Sequence, residues 1–339
     1  MTQANATSTP RRQLASAQSR LLWMDIIRGA AILAVITVHS ITFIERYDFE
    51  PTKLWRNLNE TLTLFRMPIL ILLSGMLLPR SLAKPAPAYV SGKVRAILWP
   101  FLVWSTIYAV VTGTDFSSPY QLRQVYIGGS HLWFLAFIFV YYLVARPLRP
   151  VDPFVIAAVA FALSVIAPEG EKYSERILFL MSLFFLGSAL SSHAARLGNI
   201  LRSPLIWLLT PVVAGAAFMT VRHDLNFGPY WVALSLAGFL FFSALAQRLE
   251  KLDIFRPLIW IGQRSIVFYV SHAIFIIVVA RLAQRAGITS YAFTATASVV
   301  VSLVGGWALA AGMEKWALLK WLFVLPAPGR GSPMTMPTR

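Results

Sequence analysis

The chain has 339 residues, of which 57% are hydrophobic and only 13% charged, against about a quarter charged in a soluble domain. Mean hydropathy is +0.65. Repeated apolar runs near 20 residues long, without the weak ten-residue alternation of a barrel, predict an all-α polytopic membrane helix bundle. The net charge of +16 fits basic loops beside a bilayer better than nucleic acid, and the absence of cysteine excludes disulfides, thiolate metal sites and a Cys-acyl intermediate.

Residues 1–20 are polar and carry Arg11, Arg12 and Arg20; they predict a disordered cytoplasmic tail. The first span is Leu21–Ile44, LLWMDIIRGAAILAVITVHSITFI. It is long enough to cross a bilayer, yet it contains Asp25, Arg28 and His39. Ionisable groups at membrane depth are costly and mark function unless a structural partner explains them. Eleven residues separate Arg28 from His39, three turns plus about 20°, so both share one face with roughly 16 Å between them along the axis. Asp25, three residues before Arg28, is within reach of it.

Nine further spans are expected near 58–79, 94–112, 131–149, 152–168, 176–192, 204–221, 229–249, 263–284 and 292–316. This gives about ten transmembrane helices in a domain over 21–325, with 326–339 as a cytoplasmic tail. The stretch from Arg146-Pro147 to Asp152-Pro153 reads as a break between two helices rather than one long one. Loops on the N-terminal side carry Arg80/Lys84, Arg146/Arg149, Arg196/Arg202, Arg248/Lys251/Arg256 and Lys315/Lys320, whereas Glu45, Asp48, Glu50, Asp115 and Asp224 gather opposite. That asymmetry puts both termini in the cytoplasm, so Arg28 lies toward the inside and His39 toward the outside of the inner or plasma membrane.

Other candidates stand out in the same way. Arg66-Met67-Pro68 sits mid-span, where proline frees a backbone carbonyl. Lys93 and Arg95 open the third span from the cytoplasm and are suited to phosphate. His131 and Trp133 begin the fourth span at the outer surface, and His272 lies near the midplane of GQRSIVFYVSHAIFI. An imidazole is suited to accept and return a proton. There is no HExxH, P-loop, GxGxxG or Gly-x-Ser-x-Gly, and no metal is expected.

Four stretches in order resemble the acyltransferase-3 family of integral membrane acyltransferases: WMDIIRGAAILAVITVHS, FRMPILILLSGMLL, HLWFLAFIFVYYLV and GQRSIVFYVSHAIFI. The resemblance covers about residues 20–325. It implies transfer of an acyl group, usually acetyl, from cytoplasmic acyl-CoA to a hydroxyl of a glycan, glycolipid or sugar-like acceptor. The family's basic residue, ten others and His carry over to Arg28 and His39 as the essential pair. Its basic cluster in the third span corresponds loosely to Lys93 and Arg95, which are not spaced as the usual Arg pair. Ala136, Phe137 and Ile138 replace the acidic residue that one branch has after His-x-Trp. That departure, and the lack of a hydrolase-like domain, favour the short branch.

The mechanism expected from these residues has His39 as general base, or in a variant as the acylated group, with Arg28, Lys93 and Arg95 on the coenzyme. Arg66, His131, Trp133 and His272 would face the acceptor. Two rival readings remain at this level. A polyprenyl-dependent glycosyltransferase would use Asp48 and Glu50, and a transporter or flippase for lipid-linked sugars would line its path with Arg28, Arg66, His39 and His272.

Overall fold

The computed structural model describes residues 10–127, 130–167 and 172–326; the ends of the two expected tails, 1–9 and 327–339, lie outside them. Among the described residues every regular element is a helix. In chain order they are α1 (Pro10–Thr42), α2 (Lys53–Thr61), α3 (Thr63–Met76), α4 (Leu78–Leu82), α5 (Ala86–Lys93), α6 (Trp99–Thr112), α7 (Pro119–Tyr126), α8 (Trp133–Ala145) and α9 (Pro153–Val165). Then come α10 (Lys172–Ser192), α11 (Ala194–Arg202), α12 (Leu209–His223), α13 (Val232–Leu249), α14 (Arg256–Gln263), α15 (Ser265–Arg285), α16 (Tyr291–Lys315) and α17 (Ala317–Trp321).

Eight helical segments are long and apolar enough to cross a membrane, so the chain is a multi-pass membrane protein. The other two expected spans are the shorter apolar helices α8 and α9, of 13 residues each. At 1.5 Å per residue each is about 20 Å long, short of a hydrocarbon core near 30 Å. They form a consecutive pair, so the direction of every later span is the same whether or not they cross fully.

The first span differs from expectation at its start. Residues 10–20, read from composition as part of a disordered tail, are helical and continuous with it. Proline is tolerated at a first helical position, where its missing N–H has no intrahelical partner to lose. At the other end α1 closes through a 3-10 turn over Ile44–Tyr47 onto Asp48, whose backbone is left-handed at φ 63°.

Helix α1 is the hub. It packs against α3, α13, α14, α15 and α16, and Trp23, Ile26, Ile32, Val35 and Ile36 are buried along it. Two crossings depend on glycines donated by both partners. A Cβ on Gly29 would collide with the Leu258 carbonyl of α14, and one on Gly262 with the Asp25 carbonyl of α1. Between α3 and α10 the reciprocal pair is Gly75 against Phe184 and Gly187 against Leu72. In lipid, where apolar surface gains little from leaving its surroundings, such backbone approach is the main source of helix association.

Pro68 lies inside α3 and removes the N–H that would bond the Leu64 carbonyl. The Ser235 hydroxyl of α13 donates to that oxygen at 2.8 Å, so the freed carbonyl is satisfied within the bundle, as a dry environment requires. A wide π turn over Val94–Leu98 joins α5 to α6 just ahead of Pro100.

Candidate active site

Three histidines from three separate parts of the chain meet at one depth. His39 Nδ1 lies 2.6 Å from His272 Nε2, with the two rings stacked at a centroid distance of 4.9 Å. The His131 ring stands edge-on, 5.5 Å from His272 and 6.4 Å from His39. His131 precedes α8, and the Tyr269 hydroxyl of α15 ties it in place by donating to the His131 carbonyl at 2.7 Å.

The hydrogen bonds fix the roles of the ring nitrogens. His272 Nδ1 faces the Phe268 carbonyl at 3.2 Å, and a carbonyl only accepts, so the proton of neutral His272 sits on Nδ1. Its Nε2 then accepts from His39 Nδ1–H. The lone pair of His39 is left on Nε2, which makes no hydrogen bond among the described residues. His272 is fully buried and His131 is 7% exposed. Neither ring nitrogen of His131 is in a geometrically well-formed hydrogen bond, though the Val270 backbone lies close enough to interact with the ring; a buried polar group left so has capacity for a further partner.

A cavity of about 250 Å³ opens at this cluster, lined by His39, His131, Ser130, Phe43, Tyr108 and Arg46 among others. Phe43 stacks on His39 at 4.9 Å, and Tyr108 lies 4.7 Å from His131. Phe43, Tyr108 and Arg46 were not singled out in the sequence, because aromatic and basic residues at span ends are the rule. Although three imidazoles gather here, no group of three ligands able to hold a metal ion occurs among the described residues.

At the other end of the shared face of α1, Arg28 Nη1 pairs with Asp25 Oδ1 at 3.0 Å. Arg28 is also near enough to Tyr142 of α8 to interact with it electrostatically. Tyr142 is the common neighbour of two cations. Lys93 Nζ sits 3.3 Å from its ring centroid and donates to Ser81 Oγ at 3.1 Å. Tyr89 donates to the Tyr142 carbonyl at 2.7 Å. Lys93, Lys84, Ser81, Tyr89 and Tyr142 line a second cavity of about 290 Å³. Arg28 and Lys93 are thus brought to one region on the basic side.

The remaining candidates are placed elsewhere. Arg95 Nε donates to the Leu325 carbonyl at 2.6 Å, clamping the chain beyond α17. Arg66 donates to the Asn59 carbonyl at 3.2 Å and lines an apolar groove of about 230 Å³ with Ala30, Ala34 and Phe242. Ala30 lies about 200° around α1 from Arg28, so the groove opens away from Arg28, while Arg66 itself is near enough to His39 to interact with it electrostatically. Trp133 packs against Phe137, Phe227 and the Arg176 guanidinium rather than the histidines.

The site therefore joins an imidazole with a free lone pair to a cavity on one side, and a cationic aromatic pocket to the other end of the same helix face. The family model described as an acyltransferase domain, of the acyltransferase-3 type, matches residues 21–311. The chain belongs to this family and is a membrane acyltransferase, an enzyme that transfers acyl groups other than aminoacyl groups. No curated protein and no solved structure matches it.

Proposed function

We propose that the protein is an O-acyltransferase of the inner or plasma membrane that moves an acyl group, in the first place acetyl from acetyl-CoA, to a hydroxyl of a glycan or glycolipid. The observation that carries this reading is the 2.6 Å bond from His39 Nδ1 to His272 Nε2, which leaves His39 Nε2 as a base on the wall of a cavity. Acyl-CoA arrives from the basic, cytoplasmic side. Arg28 and Lys93, gathered around Tyr142, hold its phosphates by charge-assisted hydrogen bonds. The flexible arm of the coenzyme covers the roughly 16 Å to His39.

The acceptor hydroxyl enters the cavity of His39 and His131. His39 Nε2 takes the hydroxyl proton as the oxygen attacks the thioester carbonyl. The new carbon–oxygen bond replaces the carbon–sulfur bond, and the departing thiolate recovers the proton from the imidazolium. His131, with neither ring nitrogen in a well-formed hydrogen bond at the cavity, hydrogen-bonds the acceptor. His272 holds His39 in the reactive tautomer.

The test is acyl transfer, or acetyl-CoA hydrolysis, by the purified protein in detergent. His39→Ala is expected to lower the rate by about 10²–10⁴-fold, the range for a positioned general base. Full activity in that variant would sink the assignment.

A further inference from the structure

We infer that the acceptor is anionic: it carries a carboxylate or phosphate that Arg46 and Arg281 bind while its hydroxyl reaches His39. The inference rests on the acyl-transfer reading and adds the chemical class of the acceptor. Beside the cavity at the histidines lies another of about 260 Å³, lined by Phe43, Arg46, Tyr47, Tyr108, Thr112, Ile277 and Arg281. Phe43, Arg46 and Tyr108 line both. Each alone is smaller than the usual 300–1,000 Å³ of a ligand pocket, whereas the two together fall within it.

Both guanidiniums are held by aromatic groups instead of carboxylates. Arg46 lies 5.1 Å from the Phe43 centroid, and its Nη1 is 3.5 Å from the Tyr108 hydroxyl. Arg281 lies 5.9 Å from the Tyr47 centroid. The ion pairs among the described residues are Arg28–Asp25, Arg256–Asp253 and Arg264–Glu314, and none involves these two. Of the nearby acids, Asp48 accepts from Gln284 at 3.4 Å. Tyr108 and Phe43 also connect the arginines to the chemistry. The Phe43 ring stacks on His39 and also meets Arg46. Arg46 shares a cavity wall with the proposed base and with His131, and Arg281 lines the adjoining cavity with Arg46; two cations with no carboxylate partner there recognise an anion near the acylated hydroxyl. Arginine suits carboxylate and phosphate through its planar fork of donors.

The experiment incubates membranes of the producing cells, containing the full-length protein, with radiolabelled acetyl-CoA and separates the labelled product by anion exchange. The label is expected to bind the resin and elute with salt; label in the neutral flow-through overturns the inference. The anionic acceptor fraction is then titrated against purified protein. In R46Q/R281Q its half-saturating amount is expected to rise at least tenfold, while that of acetyl-CoA moves less than twofold, and R46K/R281K restores most of the affinity. An unchanged acceptor titration, or a loss seen only in kcat or in acetyl-CoA affinity, overturns it. Amidating the carboxylates of the fraction separates the two sources: acceptor activity is lost for a carboxylate and kept for a phosphate. If wild-type membranes neither consume acetyl-CoA nor label any product, the acyl-transfer reading itself fails and this inference with it.

Discussion

A neutral imidazole has one donor and one acceptor nitrogen, and in the His39–His272 pair a backbone carbonyl sets both. Replacing His272 by Ala removes the acceptor that holds His39 Nδ1–H. We expect kcat to fall on the order of 10²-fold, toward the low end of a general base's contribution, with the acetyl-CoA KM unchanged. His272→Gln offers an amide oxygen to the same proton and is expected to recover most of the loss. Equal damage from Ala and Gln, or a change in KM alone, would contradict a positioning role. His39, His131, His272 and Arg28 were legible in the sequence because polar groups in apolar runs are conspicuous. Tyr142, Phe43 and Tyr108 were not, since an aromatic residue in a membrane span has no distinguishing signature until its neighbour is known. The same blindness placed Trp133 beside its sequence neighbour His131, although its side chain packs with Arg176 and Phe227.

Among the elements, α1 and α14 approach through Gly29 and Gly262, where any Cβ meets a carbonyl of the opposite helix. Gly29→Val is expected to destabilise the protein by about 1–3 kcal/mol, the cost of overpacking a tight site. A lowered thermal midpoint in detergent reads this out. Gly215→Ala, at a helical position with nothing within 4 Å, is the matched control, and should be neutral or stabilising by up to about 1 kcal/mol. Equal midpoints for the two variants would show that the crossing is not set by backbone approach. The ten apolar segments were legible from hydropathy, and so was the break before Pro153. The short length of α8 and α9 was not; for α8 the flanking residues 131–132 and 146–149 are apolar or basic and read as span ends. Nor did composition reveal that residues 10–20 are helical: polar side chains hide a helix whose continuity comes from the span that follows.

For the whole molecule, the orientation read from the basic loops predicts which side each loop faces, and a chain with no cysteine suits a thiol-labelling test of it. Lys84→Cys and Arg123→Cys each place one thiol at an exposed position. In intact cells a membrane-impermeant maleimide is expected to label the Arg123 variant, and to label the Lys84 variant only after permeabilisation. The reverse pattern would invert the topology, and with it the sides assigned to donor and acceptor. The feature that gives this topology its use is the face of α1 that carries Arg28 and His39. A rigid helix acts as a ruler. In the proposed reaction its three turns hold the cation meant to grip the donor and the imidazole meant to work on its carbonyl at a constant separation of about 16 Å. Selection among thioesters therefore follows from reach as much as from charge. A donor gripped at Arg28 must present its carbonyl three turns away, so a thioester whose thiol arm is truncated stops before the base. The thickness of the bundle has become a length requirement on the substrate.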